Sequence, residues 1–252
     1  MSASRVKVAV IIPARYGSTR LPGKPLAEIA GHPMIYHVYV RARSVENVGE
    51  VIVATDDARI ADAVRGFGGN AHLTSAKHRN GTERIAEVAS NMDADIIVNL
   101  QADEPLIDTE AVGLAIRALL ESDEIPMSTI MTRLRSEDEV SDPNVVKVVC
   151  DQRGFALYFS RSPIPYLRSN AQGAIHKHIG VYAYRREFLL SLSKMKPTPL
   201  ERAESLEQLR ALENGYKIKV IETDYDSPSV DTPEDLEKIR NLFPIKPEVL
   251  SR

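Results

Sequence analysis

The chain has 252 residues, 43% of them hydrophobic and 27% charged, a globular composition at a length that buries one sizeable core with an embellishment. Its 32 basic and 35 acidic residues leave a formal charge of -3, which gives no reason to expect nucleic acid or an anionic membrane surface as partner. The lone Cys150 excludes an internal disulfide and a thiolate zinc cluster, and the apolar run Val8 to Ile12 is too short for a membrane span, so a cytoplasmic chain is expected.

In chain order, the β-branched runs Val6 to Ile12, Val51 to Thr55, Ile96 to Leu100 and Met127 to Met131 predict strands. The segments Met34 to Ser44, Ala58 to Phe67, Thr82 to Ser90 and Thr109 to Ser122 between them carry helical spacing. This alternation predicts an α/β, Rossmann-like, mostly parallel sheet with helices on both faces. The first two strands are nearly continuous apolar runs, as strands covered on both sides should be.

The pattern then changes. Val145 to Cys150 and Gly154 to Phe159 read as a hairpin turning at Asp151-Gln152-Arg153, and Gly180 to Tyr184 reads as a further strand. Residues 128 to 184 are therefore expected to form a small antiparallel lobe within a single domain spanning 1 to 252. A helix from Leu200 to Asn214 should end at a left-handed Gly215, followed by a strand from Lys217 to Glu222. Thr232 is placed to cap a last helix that opens with Pro233 and acidic residues.

The loop after the first strand, Pro13 to Pro25, contains Arg15, Arg20 and Lys24 and no acid. In open α/β sheets ligands gather at the carboxyl ends of strands, where this loop must lie. Guanidinium groups grip phosphate oxygens bidentately and a lysine acts as a compact point charge, so a nucleoside triphosphate suits it; a basic loop serving solubility is the alternative. Neither G-x-x-x-x-G-K-[ST] nor G-x-G-x-x-G is present, which argues against a P-loop ATPase and a dinucleotide dehydrogenase.

The segment IIPARYGSTRLPGKPL resembles the signature loop of the 3-deoxy-manno-octulosonate (Kdo) cytidylyltransferases, the CMP-Kdo synthetases. The resemblance continues in VATDD, HRNGTERIAE, NLQADEPLI, DPNVVKVV, ALYFSRSPIP, HKHIGVYAY, LEQLRALENGYKIKV and SPSVDTPEDL, which run in the family's order across nearly the whole chain. It implies a nucleotide-diphospho-sugar transferase type of fold, activation of an acidic eight-carbon sugar with CTP for lipopolysaccharide biosynthesis, Mg2+ as cofactor, and a homodimer built on the antiparallel lobe with Phe155, Tyr158 and Phe159, for which an intramolecular core is the alternative.

Asp103 follows a strand, and Asp231 follows another near the far end of the chain. One carboxylate from each suits a magnesium ion held against phosphate, and the resemblance implies the same pair; a turn cap at Asp103 and a helix cap at Asp231 are the structural alternatives. The resemblance further implies that Ala14, Arg15, Arg20, Lys24, Thr55, His78, Asn80, Gly81, Thr82, Arg84, Gln101 and Asp103 bind the nucleotide, with the backbone groups of the turn and Asn80 or Thr82 reading cytosine. Thr82 is also an ordinary candidate for a helix cap. Gln101, Arg161, His178, Tyr182, Glu207 and Gln208 match positions implied to hold the sugar. His176 and His178 have metal-like spacing but no third ligand, so no zinc site is expected. The chain departs from the family at Asn80, often Ser, and at Ala102, usually Gly. Rival readings are an 8-amino sugar or another nucleotide, or a sensor that binds without chemistry. A sensor is expected to have lost a metal carboxylate or a phosphate cation, and this chain retains both kinds.

Overall fold

The computed structural model describes residues 6–17, 20–134, 136–168, 175–226 and 228–243. Ser18, Thr19 and Ser227 of the motifs quoted above, and Arg135 and residues 169–174 of the expected lobe, lie outside the described residues. Strands run β1 Val8–Ala14, β2 Glu28–Ile29, β3 His32–Pro33, β4 Val48–Thr55, β5 Ala71–Leu73, β6 Ile96–Asn99, β7 Met127–Arg133, β8 Lys147–Cys150, β9 Ala156–Ser160, β10 His176–Arg185 and β11 Ile218–Glu222. Helices are α1 Met34–Arg43, α2 Ala58–Gly66, α3 Gly81–Ser90, α4 Thr109–Leu120, α5 Glu137–Ser141, α6 Arg186–Leu192, α7 Pro199–Glu204, α8 Leu209–Glu213 and α9 Pro233–Leu242.

The main sheet has the order β11-β7-β10-β6-β1-β4-β5, and β2 pairs with β3 in a separate two-stranded ribbon. Strand β1 lies parallel to both β4 and β6, so the chain leaves β1 toward one edge and returns on its other side. The crevice beyond the carboxyl ends of β1 and β6 is the switch point where such sheets bind ligands. Alternating side chains of β1 face two apolar layers. Val8, Val10 and Ile12 pack with residues of α1, α2 and α4, while Ala9 and Ile11 pack with residues of α3, α6 and α8.

Strand β10 corrects the expected position of the lobe. It lies inside the main sheet, between and antiparallel to β6 and β7, and β8, carrying β9, branches from its His176–Lys177 end. The aromatic residues expected to face a second copy mostly turn inward: Phe159 is fully buried, Tyr158 reaches toward Glu204, and Phe155 sits under Lys217 and Lys219.

The helix expected from Leu200 to Asn214 is two helices, because Ser205 takes a left-handed conformation at φ +52° and turns the chain. Gly215, at φ +80°, ends the second of them as expected. At α3 the cap is Asn80 and not Thr82: the Asn80 side chain accepts from the amide of Glu83 at 2.9 Å. At α9 Thr232 and Asp235 form a reciprocal capping box. This helix docks Val230, Leu236 and Ile239 against Ile29 and Met34, which returns the end of the chain to the first loop. Among the described residues, no helix is long and apolar enough to cross a membrane.

Candidate functional site

Beyond the ends of β1 and β6 opens a cleft of about 460 Å³, a size suited to a small molecule. Its walls include Ala14, Arg15, Arg20 and Lys24 from the first loop, His78 to Gly81 and Arg84 around the start of α3, Gln101 to Asp103 after β6, and Asp231 before α9.

The floor is organised by Lys24. Its ammonium donates to Asp103 Oδ2 at 2.5 Å, to the carbonyl of Val230 at 2.9 Å and to Asp231 Oδ1 at 3.2 Å. Arg20 reaches the same oxygen of Asp231 at 3.1 Å. The amide of Val230 donates to the carbonyl of Asp103 at 2.9 Å, so the two acidic segments are also joined through the backbone. Because Thr232 and Asp235 cap α9, the Asp231 side chain is left to face the basic residues. Asp103 likewise bonds Lys24 instead of closing its own turn.

The loop is shaped before it meets a ligand. Gly23 takes φ +71°, and a β-carbon there would lie 3.1 Å from the ring of Tyr16. The guanidinium of Arg59 stacks over the same ring, 3.4 Å from its centre, and is gripped by Asp57 at 2.9 and 2.6 Å. The Tyr16–Arg59 stack was not anticipated from sequence; the signal was the acidic pair in VATDD. Asp57 caps α2 and orients Arg59, while Asp56 pairs with Arg84 at 3.1 Å.

Several expected site residues stand off the cleft wall. Thr55 is fully buried, and its hydroxyl accepts from the amide of Asp57. Thr82 donates to Glu207 at 2.8 Å. Arg161 directs its guanidinium to the carbonyls of Glu204 at 2.7 Å and Pro143 at 2.8 Å. Glu207, His178 and Tyr182 form a neighbouring polar and aromatic layer with Tyr184, and Gln208 is buried at the start of α8. His178 bonds Thr129 at 2.8 Å and stands edge-on to Phe159, and burial pushes its imidazole down to about 3, so the ring stays neutral. Burial raises the Glu207 carboxyl, while the hydrogen bond from Thr82 and the charge of Arg210 oppose that rise. Gln101 stands at the border of the two groups, on the cleft wall and 3.3 Å from Asn99. Ala102 is 9% exposed and packs within the main core, so the methyl that departs from the family pattern is absorbed there.

The family model for cytidylyltransferases matches residues 9–218. The chain belongs to the cytidylyltransferase family. It is 54% identical to the 3-deoxy-manno-octulosonate cytidylyltransferase of Geotalea uraniireducens over 93% of this chain and 98% of that protein. It is 53% identical to the enzyme of the same description from Fusobacterium nucleatum, over 94% of this chain and 97% of that one. Among solved structures it resembles CMP:2-keto-3-deoxy-manno-octonic acid synthetase complexed with CTP, with TM-score 0.90, 48% identity, and coverage of 94% of this cytidylyltransferase and 98% of that chain. A glucose-1-phosphate thymidylyltransferase from Bacillus anthracis, at TM-score 0.66 and 16% identity, shares the fold.

Proposed function

We propose that this cytidylyltransferase transfers CMP from CTP to Kdo, giving CMP-Kdo and diphosphate. The observation that carries this reading is the meeting of Lys24, Asp103 and Asp231 on one wall of a cleft whose other charged side chains, Arg15, Arg20, Arg79 and Arg84, are basic. The cleft stands in a chain 48% identical to a sugar-acid synthetase described in complex with CTP.

The anomeric hydroxyl of the sugar acid attacks the α-phosphorus of CTP; a new P–O bond forms, the bond to the β-phosphate oxygen breaks, and diphosphate leaves as the hydroxyl loses its proton. Both reactants are anions, so the protein contributes chiefly by positioning and by neutralising charge. Arg15, Arg20 and Lys24 provide that positive charge on the triphosphate side. Asp103 and Asp231 are hard oxygen donors, partly exposed and facing one cationic centre, a set that fits magnesium. Among the described residues no cluster of three or more histidine, cysteine, aspartate or glutamate side chains could hold a metal, so phosphate oxygens and water would complete the ion's shell. When bound, magnesium supplies charge withdrawal from the α-phosphate and a lower pKa for the attacking hydroxyl.

A homodimer and a cytoplasmic setting belong to the same reading. With Phe159 inside the core, an interface on this side of the molecule rests on the exposed Leu157, Tyr166 and Leu167. Sedimentation at micromolar concentration should show the dimer, and a monomer alone counts against it. The cytoplasm agrees with Cys150, a free, half-buried thiol whose pKa burial pushes up to about 11.

The activity is tested by incubating the protein with each nucleoside triphosphate, magnesium and a panel of sugar acids while measuring diphosphate. CTP with Kdo should react. Release with another pair and none with this one would overturn the assignment. A side-by-side rate comparison separates Kdo from its 8-amino relative.

A further inference from the structure

The resemblance assigns Glu207 to the sugar, yet its carboxylate points at the nucleotide side. One oxygen accepts from Asn80 Nδ2 at 2.8 Å and the other from the Thr82 hydroxyl at 2.8 Å. Both acceptor atoms are thus engaged by the turn that opens α3, 125 and 127 positions earlier in the chain. The Asn80 side chain has a second duty, since its Oδ1 caps α3 through the amide of Glu83. Asn80 and Gly81 line the cleft, so the orientation of this turn sets one of its walls.

Glu207 is itself held from behind. Arg210, 1% exposed, lies 3.4 Å from its Oε1 and is fixed by Glu201 at 2.8 Å and by the carbonyl of Leu192 at 3.3 Å. The left-handed Ser205 breaks what would otherwise be one helix, and this turn presents Glu207 across the gap between α8 and α3. A carboxylate with two short hydrogen bonds, backed by a buried guanidinium, is a rigid support.

We infer that Glu207 is a positioning residue of the nucleotide subsite, holding the Asn80–Thr82 turn in the orientation that receives the base. The inference rests on the cleft being a CTP site. It also narrows the expected readers of cytosine: the Asn80 amide nitrogen and the Thr82 hydroxyl donate to Glu207, so the inference assigns the base to the backbone groups of the turn. A second-layer role of this kind removes nucleotide affinity when lost, whereas a sugar contact would remove affinity for the sugar acid alone.

The test is calorimetric titration of CTP with magnesium and no sugar acid into the wild type, Glu207→Ala, Glu207→Gln, Thr82→Val and the double variant Glu207→Ala/Thr82→Val. Thermal melts of each confirm the folded state. Glu207→Ala should weaken CTP by roughly tenfold, the loss of the two hydrogen bonds that orient the turn, and should narrow discrimination against UTP. Glu207→Gln keeps one acceptor and should fall between. Thr82→Val alone should weaken CTP by a smaller factor and add almost nothing in the Glu207→Ala background, because both changes cut the same bond. Normal CTP affinity in Glu207→Ala, with only the KM for the sugar acid raised, overturns the inference and leaves the proposed function standing. Fully additive losses in the double variant also overturn it, since Thr82 would then act on the base directly. A wild type that takes up no CTP fails at the earlier step and refutes the functional reading itself.

Discussion

Lys24 and Asp103, 79 positions apart in the chain, meet at 2.5 Å, and the same ammonium is 3.2 Å from Asp231. On the proposed function, the lysine and a divalent cation would compete for the same two carboxylates. Lys24→Met should therefore bind magnesium more tightly than the wild type in the absence of nucleotide, while its turnover falls. Calorimetry with magnesium alone reads the first effect, and unchanged or weaker uptake would refute the competition.

The carboxylates themselves should be dispensable for folding. Asp103→Ala and Asp231→Ala each remove one arm of a partly exposed ion pair, at a cost in stability within about 1 kcal/mol. Turnover should fall by about a hundredfold or more, because each change removes charge organisation at the reacting phosphate. Urea melts and diphosphate release on the same samples separate the two effects, and near-normal turnover would exclude that carboxylate from the mechanism.

Glu104 predicts a pH dependence of stability. It is 8% exposed, its Oε2 has no hydrogen-bond partner, and burial, with the charge of Asp103 adding to it, pushes its carboxyl up to about 8 from 4.5. Between those values the folded chain keeps a proton that the unfolded chain releases, so this group makes stability fall as pH rises through that window. Relative to Glu104→Gln, the wild type should lose up to about 1.4 kcal/mol per pH unit between pH 5 and pH 8. Parallel stability curves for the two proteins would refute it.

Lys147 is fully buried and donates to the carbonyls of Asp142 at 3.0 Å, Val145 at 2.7 Å and Arg161 at 2.6 Å. Burial pushes its pKa down. Lys147→Met strands three carbonyls and should cost about 3 kcal/mol in urea unfolding. A cost below about 1 kcal/mol would mean that water replaces the ammonium without penalty.

At Gly23 a methyl group meets the Tyr16 ring, which also carries the stacked Arg59 guanidinium. With the positive φ added, Gly23→Ala should destabilise by about 1–2 kcal/mol and raise the KM for CTP, because Lys24 is the next residue. An unaltered KM would show that the loop tolerates another path.

Much of the sheet was legible in the sequence. The apolar runs that became β1, β4 and β6 carry unambiguous patterns, and Gly215 and Thr232 announce their caps through their own chemistry. Strand β5 was missed because it is a three-residue edge with His72 and Leu73 exposed, leaving no hydrophobic alternation to detect. The insertion of β10 between β6 and β7 was hidden for a different reason: local pattern specifies a strand and says nothing of its neighbours. The break at Ser205 was masked because residues 200–214 contain neither Gly nor Pro and are mostly strong helix formers. At the site, the residue types that converge on Lys24 are readable from their places after strands, while the engagement of Asn80 and Thr82 by Glu207 depends on a tertiary contact that no spacing rule encodes.

Asp231 stands directly before α9, whose Leu236 and Ile239 share an apolar cluster with Val230, Ile29 and Met34. The carbonyl of Val230 is also one that the Lys24 ammonium grips, so the seat of this helix and the placement of Asp231 form one mechanical unit. A core substitution at Ile239 should therefore be felt in the cleft.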